Sequence, residues 1–228
     1  MTEHALYFAP STCARVSMIA LYEIGVPFET RLVRFMKGEH RSPEFLSLNP
    51  AGKVPCLLVD GRPLTENVAI LTYLARTYPD AKLLPFTGEA WDDAQVLADL
   101  AGCASGLHPL VTRIRLPNFI CDAPGGPERV YELATQAMRQ ALAPAEQRLA
   151  ARPWLLGDWS ILDAYLNWVW FRITGAGFDA SAFPRLADHA RRLETRPSVR
   201  AALACEAEGQ AQLEREGLAF TPPEIASN

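Results

Sequence analysis

Residues 51–75 read AGKVPCLLVDGRPLTENVAILTYLA and contain a strand hairpin, a proline at a strand start and a helix start. Val54-Pro55 opens an apolar run that breaks at Asp60-Gly61, a dipeptide typical of tight hairpin turns because glycine accepts positive φ. Helical spacing of apolar residues begins after Asn67. Backbone N–H groups at that helix start lack intrahelical partners and lie beside a Glu-Asn pair, which favours binding of a carboxylate.

The residues before this stretch predict a further strand, helix and strand. Residues 5–8 are β-prone, and RVSMIALYEIG after Pro10 has the apolar spacing of a helix. A second strand covers about residues 29–33, and residues 36–50 form a polar loop with a brief helical turn around 43–48. The order βαβ followed by ββα predicts a compact α/β unit of about eighty residues.

Strand signals end near residue 84, and segments rich in Ala, Leu, Arg and Glu follow. This shift predicts an α/β domain at 1–84 and an all-helical domain at 90–228. A polar tail containing prolines follows the last helix. The helices are predicted at about 89–114, 127–150, 161–173, 184–195 and 197–208.

One helix start in the second domain has a complete capping signal. Ser160 is followed three residues later by Asp163, the spacing of a capping box. The helix that follows is apolar on most sides, which predicts the central buried helix of this domain. We therefore interpret Asp163 as structural.

Composition excludes several classes of function. The chain has 22 Lys and Arg against 26 Asp and Glu and no basic block, so neither nucleic acid nor an anionic membrane is expected as a partner. No apolar run is long enough to span a bilayer, and MTEHALYF has no hydrophobic signal core. We expect a cytoplasmic protein.

The five cysteines form no CxxC pair and no metal-like cluster, so we expect free thiols and no metal site. Only Cys13 has a distinctive context, because a thiol at a helix start feels the helix dipole and nearby N–H donors. We expect these to lower its pKa. Ser11 and Thr12 are either further donors or simple N-caps of the helix.

The Val54-Pro55 bond decides whether this segment can pair with a peptide. If the bond is cis, an extended peptide can add to Val54 as a strand while its distal carboxylate reaches Glu66-Asn67. Sequence does not fix the isomer. Glu66 also has a simpler interpretation, as a first-turn carboxylate that complements the helix dipole.

Together these segments resemble the glutathione transferase family over about residues 5–205. FLSLNPAGKVPCL contains that family's Val-Pro motif, LTENVAI is similar to its T-E-S-x-A-I motif, and GDWSILDAYL resembles the capping box of its helical domain. The resemblance implies a thioredoxin-like N-terminal domain followed by an all-α domain. It also implies a symmetric homodimer and glutathione as cosubstrate.

Residue by residue, the resemblance implies that Val54, beside Pro55, pairs with the cysteinyl backbone of glutathione. Glu66 and Asn67 would hold the γ-glutamyl carboxylate and amine. Asn67 stands where the family usually has Ser. The residues implied to face the glycine carboxylate are Lys37, His40 and Lys53.

The group that meets the glutathione sulfur is less settled. YFAPSTCARVSMIAL resembles the bacterial beta-class pattern without a gap, which assigns Cys13 and is the alignment that we adopt. The serine classes would assign Ser11, with Thr12 beside the site, and the tyrosine classes point to Tyr7. His108 matches a histidine that lies beside the beta-class site. The electrophile cleft would then include Leu107, His108 and Phe119.

The sequence thus predicts a glutathione transferase that joins the glutathione thiolate to a small hydrophobic electrophile, as in detoxification. A thiol–disulfide reductase that uses Cys13 is an alternative, because cysteine can form a mixed disulfide with glutathione. A non-catalytic binding protein on the same fold is a second alternative.

Overall fold

The structure is a computed structural model, and it describes residues 2–221. Contacts divide the described chain into two compact units. The first unit contains residues 2–84 together with 194–220, and the second contains residues 85–193. The sequence placed everything from residue 90 onward in one helical domain. By packing, the last helix instead joins the α/β part of the chain.

Secondary structure follows the predicted order within residues 2–221. The strands are β1 His4–Phe8, β2 Glu29–Leu32, β3 Cys56–Val59 and β4 Arg62–Thr65. The helices are α1 Ala14–Ile24, α2 Pro43–Leu48, α3 Asn67–Thr77, α4 Ala90–Ala101, α5 His108–Arg115, α6 Gly126–Ala151, α7 Ile161–Thr174, α8 Pro184–Leu193 and α9 Pro197–Arg215.

The first unit contains a mixed sheet with strand order β2-β1-β3-β4. β1 pairs parallel with β2 and antiparallel with β3, and β3 pairs antiparallel with β4. The β3–β4 turn has positive φ at both Asp60 (49°) and Gly61 (75°), as a two-residue hairpin requires. The predicted hairpin and the α/β thioredoxin-like domain are confirmed.

α9 extends to Arg215, seven residues beyond its predicted end at 208. Gly209 lies inside it, where a Cβ atom would be 3.2 Å from Cζ of Phe8. Glycine there permits close approach of α9 to the end of β1 rather than ending the helix. The tail beyond residue 221 lies outside the described residues.

The second unit is helical, and α7 is its most buried helix, as predicted. Asp163 Oδ2 accepts from the backbone N–H of Ser160 at 2.9 Å, which forms the predicted capping box. Asp163 Oδ1 accepts from the N–H of Leu155 at 2.9 Å and lies 2.9 Å from Nε2 of His189. These contacts support a structural role for Asp163.

Among residues 2–221, no helix has the length and apolar composition needed to cross a membrane. The five cysteines all lie in this part of the chain and are free thiols.

Candidate functional site

The turn from β1 into α1 carries the predicted sulfur-binding residues. Cys13 lies at the N-cap of α1 and is 9% exposed. Its thiol donates to the carbonyl oxygen of Val54, with Sγ 3.7 Å from that oxygen. The Val54-Pro55 peptide bond is cis. The structure therefore brings together the predicted cysteine and the segment predicted to pair with a peptide.

Burial raises the pKa of the Cys13 thiol to about 12. The backbone hydrogen bond at the start of α1 acts in the opposite direction, as does the charge of Lys53, whereas the charge of Glu66 raises the pKa further. The lowered pKa expected from the helix dipole is therefore wrong. Desolvation disfavours the thiolate more than the helix start stabilises it.

Ser11 and Thr12 have different roles in the same turn. Ser11 has φ of 62°, and its backbone N–H donates to Oε1 of Glu206 at 3.0 Å. The Thr12 hydroxyl donates to the carbonyl of Ala9 at 2.7 Å, which closes the turn. The N-cap position of α1 is occupied by Cys13, so neither Ser11 nor Thr12 is the N-cap residue.

The start of α3 lies beside the start of α1. Glu66 is exposed with φ of 69°, and Asn67, the first residue of α3, is buried. The Asn67 amide accepts from the Ser17 hydroxyl at 2.7 Å and donates to the Cys13 carbonyl at 2.9 Å. Its side chain is thus engaged inside the protein. A carboxylate at this helix start would meet the backbone N–H of Asn67 rather than its amide.

The loop after β2 carries Lys37 and His40. The exposed Lys37 ammonium lies 3.7 Å from a carboxylate oxygen of Glu39. The His40 ring packs against Phe35 with centroids 4.6 Å apart. Burial, with the charge of Arg41, lowers the pKa of His40. Nδ1 of His40 is buried and has no hydrogen-bond partner among the described residues.

The turn before Val54 lies directly against this loop. Asn49 organises the turn by donating to the Lys53 carbonyl at 2.7 Å and accepting from the Ala51 N–H at 3.1 Å. At Gly52, with φ of 63°, a Cβ atom would lie 2.8 Å from the carbonyl oxygen of His40. Only glycine permits this approach, which brings the segment of Lys53 next to that of His40.

Two residues that the sequence reasoning missed support the Ser11 turn. Arg15 and Glu206 are each 4% exposed and form an ion pair, with Nη2 2.5 Å and Nε 2.8 Å from Oε2. Burial raises the pKa of Glu206, and Arg15 opposes that shift. Arg15 lies in the first turn of α1, where a cation interacts unfavourably with the helix dipole. A buried cation at such a position indicates an acidic partner elsewhere in the chain. The sequence near Arg15 does not indicate that this partner is Glu206, 191 residues away.

Tyr7, the minor alternative for contact with the sulfur, is held by other groups. Its hydroxyl lies 3.1 Å from Nη1 of Arg31, which donates to it. Its ring packs edge-on against Phe45 of α2, with centroids 5.5 Å apart. These contacts give Tyr7 a packing role between β2 and α2.

The residues predicted for the electrophile site lie in the second unit. Nδ1 of His108 is 3.3 Å from the Tyr165 hydroxyl, and its ring centroid is 4.5 Å from that of Trp168. Leu107 ends the π-helical segment Gly102–Leu107 and is half-buried. Phe119 is 67% exposed. His108 therefore packs against α7, and Phe119 lies at the surface.

Within the described part of the chain, no three His, Cys, Asp or Glu side chains lie close enough to hold a metal ion.

Comparison with known proteins identifies the family. Residues 4–76 match the family model of the glutathione S-transferase N-terminal domain. A glutathione S-transferase of Xanthomonas campestris is 33% identical over 202 residues, which are 88% of this chain and 98% of the relative. The chain belongs to the glutathione S-transferase family. The resemblance inferred from the sequence is confirmed.

Other glutathione S-transferases and a related isomerase are also similar to this chain over most of its length. A maleylacetoacetate isomerase of Pseudomonas aeruginosa is 32% identical, covering 86% of this chain and 92% of the relative. A glutathione S-transferase from Xylella fastidiosa superposes with a TM-score of 0.82 at 29% identity, covering 90% of this chain and 98% of that one. A sphingomonad glutathione S-transferase solved with glutathione gives 0.77 at 32% identity, with 89% and 98% covered.

Proposed function

We propose that this glutathione S-transferase binds glutathione in its first unit and joins the glutathione thiolate to small hydrophobic electrophiles. The observation that carries the proposal is the double contact of Cys13, with the Val54 carbonyl on one side and the Asn67 amide on the other. That contact joins the peptide-pairing segment to the helix start that would hold a carboxylate.

Glutathione has two carboxylates, and each has a candidate site. The γ-glutamyl end would lie at the start of α3, with its amine on Glu66 and its carboxylate on the backbone N–H of Asn67. The glycine end would lie between the segment of Lys53 and the segment of His40, which approach each other at Gly52. Lys37 and Lys53 supply exposed cations there, and the unpartnered Nδ1 of His40 supports a hydrogen bond to the ligand.

The reaction needs the thiolate of glutathione. As the sulfur attacks an aryl halide, a carbon–sulfur bond forms, the halide leaves, and the thiol proton is released to solvent. A hydroxyl or thiol donor that stabilises the thiolate lowers its pKa from about 8.5. We place Ser11 in this role and keep Cys13 as the second candidate, because Cys13 is buried and its thiol already donates to Val54.

Turnover of glutathione with a halogenated nitroaromatic tests the proposal. We expect Ser11→Ala to lower kcat/KM by about 100-fold or more, as loss of one well-placed donor does, and Cys13→Ala to lower it much less. The reverse result would assign the sulfur to Cys13. Tight glutathione binding by calorimetry without turnover on a broad electrophile panel would favour a non-catalytic binding protein.

The reductase alternative is weakened by the chemistry of Cys13. Disulfide exchange requires a thiolate. Because burial raises the pKa of the Cys13 thiol to about 12, that thiol is protonated at neutral pH. Incubation with oxidised glutathione followed by mass spectrometry should therefore show little adduct on Cys13, and a rapid, stoichiometric adduct would restore this alternative.

Maleylacetoacetate isomerisation is a second candidate, favoured by the 32% identity to the Pseudomonas aeruginosa isomerase over 86% of this chain. A thiolate that adds reversibly to a carbon–carbon double bond allows rotation about it, so the same bound glutathione would serve. Spectrophotometric assay with maleylacetoacetate, with and without glutathione, distinguishes isomerisation from conjugation.

The homodimer and the electrophile site around Leu107, His108 and Phe119 stay predictions from the family resemblance. The cytoplasmic location stays a prediction from composition.

A further inference from the structure

α9 is fixed along the α/β part of the first unit at several points. At its start, the Arg196 guanidinium binds the Glu23 carboxylate of α1, with Nε 3.0 Å from Oε1. In its middle, Glu206 binds Arg15 at the other end of α1. The two helices therefore pack antiparallel. Farther along α9, Gly209 lies close to the Phe8 ring, so α9 also packs against the end of β1.

One contact of α9 reaches the turn that carries the sulfur-binding candidates. The two carboxylate oxygens of Glu206 have separate partners: Oε2 accepts from Arg15, and Oε1 accepts from the Ser11 N–H at 3.0 Å. Ser11 has φ of 62°, a conformation that residues with a Cβ atom rarely adopt. The hydrogen bond that the Ser11 N–H donates to this buried, charge-paired carboxylate holds the backbone in its strained position.

A second contact reaches the loop proposed for the glycine end of glutathione. Glu216, at the C-terminal end of α9, binds the Arg34 guanidinium, with Nε 2.5 Å from Oε2 and Nη2 3.0 Å from Oε1. The backbone N–H of Arg34 in turn donates to Oε2 of Glu39 at 2.9 Å. Arg34 directly precedes the turns that carry Lys37 and His40.

We propose that Glu206 and Glu216 are positioning residues of the glutathione site, a role that rests on the proposed function. Glu206 holds the turn that presents Ser11 and Cys13 to the sulfur. Glu216, through Arg34, holds the loop that presents Lys37 and His40 to the glycine carboxylate. Neither glutamate touches glutathione. α9 thus links the geometry at the sulfur to that at the glycine end of one bound tripeptide.

The two positions predict different kinetic effects. Loss of the Glu206 contact lets the Ser11 turn relax, so the thiolate loses its donor while the rest of glutathione stays bound. We expect the pKa of bound glutathione to rise by about one unit, which lowers the thiolate fraction and kcat about tenfold near neutral pH. Loss of the half-exposed Glu216 contact should raise the glutathione KM about two- to fivefold, with kcat unchanged.

The experiment measures the ultraviolet absorbance of the bound thiolate against pH, together with kcat and glutathione KM. The test variants are Glu216→Gln and the double variant Arg15→Met, Glu206→Met. The double variant leaves no lone buried charge and so is expected to fold. The control variants are Glu208→Gln and Glu214→Gln, at exposed positions of the same helix, which should match the unchanged protein.

Hydrogen exchange at the Ser11 amide provides a readout independent of glutathione, and we expect it to be at least tenfold faster in the double variant. If the unchanged protein binds glutathione but the double variant keeps its thiolate pKa and Ser11 protection, the role of Glu206 is overturned. An unchanged KM in Glu216→Gln overturns the role of Glu216. If the unchanged protein binds no glutathione, the proposed function fails, and with it the positioning role.

Discussion

The Cys13 thiol lies at the N-terminus of α1, donates to the Val54 carbonyl and is nearly enclosed. A helix start, a nearby lysine and a backbone donor all favour a thiolate, yet burial raises its pKa to about 12. The motif around Cys13 correctly predicted that this residue lies at the start of α1. It could not give the protonation state, because desolvation depends on side chains from distant parts of the chain.

We expect Cys13 to react slowly with iodoacetamide in the native protein. Only the thiolate is nucleophilic, and the pKa of about 12 is three units above the unperturbed 9.0. At pH 8, alkylation of Cys13 should be about a thousandfold slower than in the denatured chain, as followed by peptide mass spectrometry. Rates within tenfold of each other would contradict the raised pKa.

The same shift predicts how stability depends on pH. A raised folded-state pKa means that the folded protein holds the proton more tightly, so the contribution of Cys13 is fully present below pH 9.0 and is lost as pH rises to about 12. The unchanged protein should therefore lose stability relative to Cys13→Ala as the pH rises through that range. The difference between their free energies of unfolding should change by up to about 1.4 kcal/mol per pH unit. A constant difference between the two proteins would be evidence against the shift.

Asn67 links the starts of α1 and α3 through the Ser17 hydroxyl and the Cys13 carbonyl. We expect Asn67→Ala to reduce the free energy of unfolding by about 2 kcal/mol, because the buried Ser17 hydroxyl loses its acceptor and the Cys13 carbonyl keeps only its backbone donor, Val16. Urea denaturation of Ser17→Ala, Asn67→Ala and the double variant would measure a coupling of about 1 kcal/mol. Additive effects would show that the Ser17 hydrogen bond adds no stability.

Local sequence patterns predicted most helices and strands because periodicity, caps and turns act within a few residues. The predicted helix 89–114 shows where this fails. In the structure it is α4, then the π-helical segment Gly102–Leu107, then α5. Pro109 has no N–H for the helix ladder, and the Ser105 hydroxyl bonds back to the Ala101 carbonyl at 2.8 Å. Both features loosen the hydrogen-bonding pattern at this point.

The start of α7 depends on Asp163, which bonds to Ser160, Leu155 and His189. We expect Asp163→Ala to reduce the free energy of unfolding by about 3 kcal/mol, since it removes the cap and leaves several buried donors unpaired. Chemical denaturation would measure this, with the exposed Asp158→Ala as the matched control. Equal effects of the two substitutions would contradict a special role for Asp163.

Residues 2–84 and 194–220 form one compact unit. We therefore expect residues 1–84 alone to fold poorly, because the face of α1 that carries Arg15 would lose Glu206 and the cover of α9. Joining residues 194–221 to this fragment by a flexible Gly/Ser linker should restore slow hydrogen exchange in β1 and α1. A fragment 1–84 that folds equally well alone would show that α9 is dispensable for the fold.

Short local motifs indicated the fold and the family: the Val-Pro strand start, the Asp-Gly hairpin and the helix start at Asn67, all within residues 51–75, and the capping box at Ser160. Each acts through local backbone geometry, so the sequence alone specifies it. The Glu206 contacts with Arg15 and Ser11 join residues 191 and 195 positions apart. Such contacts, and the burial that keeps Cys13 protonated, exist only after the chain has folded, because they depend on which distant surfaces exclude water together.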